Sequence, residues 1–170
     1  MQKYVALLRA VNVGGTGKLP MADLKAMCHD VGFASVQTYI ASGNVVFESK
    51  ASPAKVKSEL EARLLAYAGK PIIVIVRSAS EMEAVMKACP FPNAPPNHTV
   101  AIFLDEPPPS NALDHAVGTK DEEMHLGERE IYVYYNGGMA RTTLKIPAAK
   151  TGTGRNMKTV AKLAEMASKQ

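Results

Sequence analysis

Apolar residues fill most positions from Tyr4 to Val11, as in a strand, and then change to helical spacing, with Leu24, Met27, Cys28 and Val31 at i, i+3, i+4 and i+7. That spacing predicts an amphipathic helix. Pro20 suits its first turn, where a missing N–H costs nothing, and Gly32 suits its C-terminal end. "VQTYIASGNVVFES" follows, two β-rich runs about Gly43-Asn44, a dipeptide suited to a tight hairpin. Ser52-Pro53 opens a second helix, with Val56, Leu60 and Leu64 on one face and Gly69 after its end. "PIIVIVR" reads as a fourth strand. Because it is apolar throughout, something is expected to cover it or pair with it.

Strand, helix, strand, strand, helix, strand is the order of a ferredoxin-like sheet with two helices on one face. A third helix is expected at a capping box, Ser80 to Glu83, before the proline-rich "CPFPNAPPNH". The linker divides the chain into a ferredoxin-like half, residues 1–90, and a second α+β half, residues 91–170, with a basic C-terminal helix. The second half reads as a strand at Thr99 to Leu104, a helix from Ser110 to Val117, and two strands turning at Gly127. A last helix begins near Asn156, with Val160, Leu163, Ala164 and Ala167 at helical spacing. The expected fold is α+β: two ferredoxin-like halves packed together, βαββαβ and then a βαββα-type unit, without obvious self-similarity.

In such a unit the exit loop of the first strand and the hairpin turn lie at one end of the sheet. "NVGGTGK" and "SGN" become neighbours beside the start of the first helix. Helix N–H groups, glycines that permit close approach and a cation, Lys18, are what an anion needs. Asn12, Ser42 and Asn44 add neutral hydrogen-bonding groups, Gly14 and Gly15 backbone access, and Arg9 a second charge. The loop is not a P-loop, because Asn12 stands where the first glycine belongs and Leu19 where Ser or Thr would bind magnesium.

The formal charge is +4, and Arg141 to Gln170 carry seven cations against one anion, which leaves the rest of the chain at −2. A basic C-terminal segment can attract an anionic ligand or nucleic acid. Cys28 and Cys89 have no metal-ligand spacing and are expected as buried free thiols, and no metal site is indicated. His29, His98, His115 and His125 are scattered without a visible carboxylate partner, and "NVVFES" lacks the aromatic platform of RNA-recognition modules. No run is long enough to span a membrane, and the N-terminus lacks the apolar core of a signal peptide, so a cytoplasmic protein is expected.

"YVALLRAVNVGG", "LPMADLKAM", "GFASVQTYIASGNVVF", "PFP", "REIYVYYNGG" and "GRNMKTVAKLAEM" resemble, in that order, the bacterial family catalogued as domain of unknown function 1697. The resemblance spans nearly the whole chain. It implies two ferredoxin-like halves and no activity. By position its patterns fall on Arg9, Asn12, Val13, Gly14 and Gly15, on Ser42, Gly43 and Asn44, and on Arg155, Asn156, Thr159 and Val160. Ala10 stands where the family usually has glycine and Met157 where many members have tryptophan, and the stretch before "TGTGRN" is shorter than usual.

The candidate ligand-binding residues are therefore Arg9, Asn12, Gly14, Gly15, Lys18, Ser42, Asn44, Arg155 and Asn156, and the expected ligand is a small anionic, phosphorylated molecule. No cofactor and no catalytic residue is assigned. Two alternatives stay open: an enzyme on such a ligand, with Lys18 or Arg155 stabilising developing charge, and a nucleic-acid binder led by the basic C-terminal segment.

Overall fold

The computed structural model describes residues 1–13, 18–140 and 142–168. The chain forms two compact units, Met1–Met82 with Leu163–Gln170, and Glu83–Lys162. The fold is α+β, with a four-stranded antiparallel sheet in each half.

The first unit contains β1 (Gln2–Leu8), α1 (Met21–Asp30), β2 (Ala34–Tyr39), β3 (Asn44–Ser49), α2 (Pro53–Ala68) and β4 (Val74–Ser78). Its strands lie in the order β2-β3-β1-β4, all neighbours antiparallel. Alternation along the strands puts Tyr4, Ala6, Leu8, Val45, Phe47, Val74 and Val76 into one core with Leu24, Met27 and Cys28 of α1 and Val56, Leu60 and Leu64 of α2. Phe33 stacks on Phe47, ring centroids 4.2 Å apart. The opposite face is buried as well, through Val5, Leu7, Ile75 and Arg77. Ser52 Oγ caps α2 by accepting from Lys55 N–H at 3.2 Å, and Gly69 ends it in the left-handed conformation at φ 72°.

β4 is an edge strand, yet all five of its residues are buried. Its first peptide groups are held by α2: Val74 N–H donates to Glu61 Oε2 at 2.9 Å, and Lys57 Nζ donates to the Val74 carbonyl while pairing with Glu61 at 3.0 Å. Helix side chains thus occupy groups that an open edge would offer to another strand.

The second unit contains β5 (Thr99–Phe103), β6 (Glu123–Leu126), β7 (Glu130–Tyr134) and β8 (Thr153–Asn156), in the order β6-β7-β5-β8. This is the strand order of the first sheet. α3 (Ala79–Lys87) follows β4, and α4 (Met157–Ser168) follows β8. Three details differ from the sequence reading. The third helix starts two residues early, because Ser78 and Glu81 form the capping box, Ser78 N–H to Glu81 Oε1 at 2.9 Å and Glu81 N–H to Ser78 Oγ at 3.2 Å. The helix expected over residues 110–117 is a single 3-10 turn, Ala112–His115. Three prolines precede it and Gly118, at φ 72°, follows it; one turn is too short to nucleate an α-helix. A fourth strand, β8, is also present; "TGRN" has little strand propensity and is ordered by pairing with β5.

The two halves share a motif that sequence comparison hides. The last residue but one of each fourth strand is a buried arginine, Arg77 or Arg155, whose Nη1 donates to the carbonyl of the residue before it, at 3.2 Å and 2.9 Å. The next residue caps the helix that follows, Ser78 for α3 and, for α4, Asn156, whose Oδ1 accepts from Thr159 N–H at 2.8 Å.

Of the two free cysteines, Cys28 is fully buried, with its thiol pushed up to about 12 by burial, and Cys89 is only half-buried. Native protein should therefore release one equivalent in a thiol titration near neutral pH, and two after denaturation. Above the ordinary thiol value of 9.0 the unfolded Cys28 loses its proton while the folded one keeps it, so stability falls as pH rises toward about 12. Cys28→Ala should make alkaline unfolding midpoints less pH-dependent over that window.

Candidate functional site

β1 and β2 run in the same direction, with β3 returning between them, so the exit of β1 and the β2–β3 turn share one end of the first sheet. Leu8 N–H donates to Gly43 O at 2.8 Å. Gly43 has φ 90°, and a Cβ there would lie 2.6 Å from Val11 Cγ2 and 2.9 Å from Leu8 Cβ. Only glycine lets the turn close against the loop.

The side chain of Asn12 organises the loop. Its Oδ1 accepts from Leu19 N–H at 2.6 Å, and its Nδ2 donates to Leu19 O at 2.9 Å and to Ala41 O at 2.7 Å. One amide thereby fastens the two limbs of the loop to each other and both to the hairpin. Asn44, fully buried at the start of β3, donates through Nδ2 to Tyr39 O and to Ser42 Oγ, both at 2.9 Å. Asn12, Ser42 and Asn44 are thus engaged in building this end of the sheet.

Arg9 directly follows β1, its N–H donating to Ile73 O at 2.9 Å, and is half-buried; Lys18 is exposed, next to buried Leu19. Gly14 and Gly15, and Gly17 with them, lie outside the described residues. α1 begins after Pro20, which offers no side-chain cap; the Asp23 and Leu24 N–H groups donate to Pro20 O at 3.0 and 3.1 Å, and no acceptor side chain caps the first turn among the described residues. Asp23, in that first turn, accepts from Tyr67 OH of α2 at 2.8 Å. Arg155 and Asn156 belong to the second unit. Burial holds the Arg155 guanidinium down at about 10 and takes it out of the expected exposed basic segment, because β8 directs it into the sheet; Lys145, Lys150 and Lys158 remain exposed.

Backbone strain at this end was not legible from composition. Ala10, Asn12 and Ile40 all have positive φ, at 56°, 58° and 50°. Asparagine tolerates this region, alanine less so, and β-branched isoleucine is a marked outlier. Val13 and Ile40 are also half-exposed, at 52% and 50%. A glycine is what the backbone at position 10 asks for, and the resemblance gave one there in most members.

A family model for proteins of unknown function, DUF1697, matches residues 1–132. The chain belongs to the DUF1697 family. The conserved bacterial protein SP0830 from Streptococcus pneumoniae has a similar structure, with TM-score 0.81 and 27% identity over 99% of each chain. No curated protein matches the chain in sequence. The DUF1697 match includes both the Asn12 loop and the Ser42–Asn44 turn, and it ends before β8.

Asn12→Ala should cost about 2–4 kcal/mol, from three lost hydrogen bonds and the unsatisfied N–H of buried Leu19. Asn12→Gly should recover about 1 kcal/mol of that by relieving the left-handed backbone. Ala10→Gly, which loses no side-chain bond, should instead raise Tm by about 1 to 4 °C, the relief of strain exceeding the added chain entropy. Equal effects of the two Asn12 variants would show that backbone strain contributes nothing there.

Proposed function

We propose that this DUF1697 protein is a binding module for a small phosphorylated ligand, held at the loop–hairpin end of the first unit. The observation that carries the reading is the clustering of strain: of the four non-glycine residues with positive φ among the described residues, three, Ala10, Asn12 and Ile40, fall at this end. Such conformations cost about 1–3 kcal/mol each and persist where function needs a particular surface. Lys18 and Arg9 supply positive charge, the uncapped start of α1 supplies donors, and Asn12 holds the loop in place before any ligand arrives.

Residues 9–20 and 40–44 contain no Asp, Glu, His or Cys, and the Ser42 hydroxyl already accepts from Asn44. These two segments carry charge and donors without a general acid–base pair, and Asp23 in the first turn of α1 is engaged by Tyr67 OH, which favours binding over catalysis. The nucleic-acid alternative rests on the basic C-terminal segment, from which Arg155 is withdrawn by burial and by donating to Gly154 O; Arg155 is withdrawn from the small-ligand site as well, and the strain gathered at the loop–hairpin end favours the small ligand.

Inorganic phosphate and mononucleotides provide the test. At about a hundredfold over Kd, a ligand specific for the folded state adds about 2.7 kcal/mol, or about 5 to 10 °C in Tm for a chain of this size. Lys18→Met should lose that shift and, without ligand, melt at or above the natural temperature, since it removes a cation from a helix start. Replacement of Lys150 and Lys158 by Gln should leave the shift intact. No shift with any phosphate would reject the reading, and so would a shift that Lys18→Met retains.

A further inference from the structure

The second unit has a cavity that its own fold explains. In the first unit, the core face of β1 and β4 is packed by Val56, Leu60 and Leu64 of the sixteen-residue helix α2. The equivalent strands of the second unit are β5 and β8, and the element at the corresponding place in the chain is only a 3-10 turn, Pro147–Ala149. A slot of about 360 Å³ lies over this lane, with Val100, Ile102, Gly152, Gly154 and Asn156 along the strands and Tyr135, Met139 and Ala149 around them.

Register shows why the floor is open. Gly154 pairs with Ile102 and Asn156 with Val100, so all four belong to one face of the sheet, opposite to the face that carries Arg155 and Ala101. Gly154 has no side chain to cover Val100 and Ile102. A Cβ there would meet Val100 Cγ1 at 3.3 Å and Ile102 Cγ1 at 3.9 Å, so a larger side chain at this position would grow over those two residues and into the slot. Met139, on the rim, is 42% exposed.

Two polar groups mark the walls. Asn156 uses Oδ1 to cap α4, which commits the acceptor and leaves the Nδ2 donors uncommitted among the described residues. Tyr135 is half-buried, and its phenol is raised by burial and then by the nearby carboxylate of Glu122. A negative group beside the Tyr135 end repels an anion, and no Lys or Arg is among the lining residues described. The volume is at the low end of the roughly 300–1,000 Å³ typical of small-molecule sites, too small for a helix of the length of α2.

We infer that the β5–β8 slot binds an uncharged, mainly apolar small molecule, an aromatic or branched group carrying a carbonyl that accepts from Asn156 Nδ2. The bound group takes the place over Val100 and Ile102 that α2 side chains take over the first sheet. This site shares no residue with the loop–hairpin end and takes a ligand of different charge; Asn156, expected from the sequence to serve an anion, lines the slot instead.

Benzamide and acetophenone, with benzoate as the charged counterpart, are suitable probes on the full chain carrying methyl-labelled methionine and alanine. The two neutral probes at millimolar concentration should shift the Met139 and Ala149 methyl resonances, and benzoate should bind more weakly. Gly154→Val suits a strand, fills the slot and should abolish the shifts. Asn156→Asp keeps an Oδ1 to cap α4 but removes the donor, and should weaken the neutral probes several-fold with little change in Tm, which keeps the test valid if Gly154→Val folds poorly. Absence of methyl shifts with both neutral probes, or shifts unchanged in Asn156→Asp or in a folded Gly154→Val, would overturn the inference.

Discussion

A single side-chain amide carries most of the order at the loop–hairpin end. Asn12 gives and takes hydrogen bonds with both backbone groups of Leu19 and reaches Ala41 of the turn, while its own backbone stays left-handed. Leu19 is buried beneath it, so the Leu19 N–H has no water to turn to if the amide is lost. The start of α1, the turn before β3 and the exit of β1 are thereby fixed together. The charges of Arg9 and Lys18 are placed by backbone that this amide holds. Gly43 completes the arrangement by giving up the space that Val11 and Leu8 occupy.

The first sheet was legible because its elements satisfy several rules at once. α2 shows it best: Ser52 as cap, Pro53 in the first turn, an apolar stripe at Val56, Leu60 and Leu64, and Gly69 in the left-handed end all agree. The second unit was harder to read because tertiary pairing decides its structure. β8 contains Gly154 and Asn156, which no strand pattern favours, and it exists because β5 offers it an edge. Residues 110–117 contain helix formers, but prolines and Gly118 leave them a single turn.

The candidate site shows the same division. Topology alone placed Asn12, Ser42 and Asn44 at one end of the sheet, because β1 and β2 are parallel about β3. Their uses were not legible: an asparagine that binds a ligand and one that binds backbone have the same letter. Nor does residue type reveal that Ala10 and Ile40 are forced into positive φ, since neither favours it. Arg155 counted as a surface cation until pairing with Ala101 turned it into the sheet, at a position matched in the first half by Arg77. The basic segment is thus partly an internal repeat of a structural motif, and its charge count overstated what it offers to a partner.

Residue-resolved NMR with inorganic phosphate tests the proposal that the Asn12-held end of the first sheet is a preformed anion site. Saturable shifts are expected, confined to the Asn12 side-chain amide and the backbone N–H groups of Val13, Lys18, Leu19, Met21 and Ala22, with the β2–β3 turn following. Shifts that spread over exposed lysines such as Lys145 and Lys150 without saturating, or that leave the Asn12 amide unmoved, would contradict it.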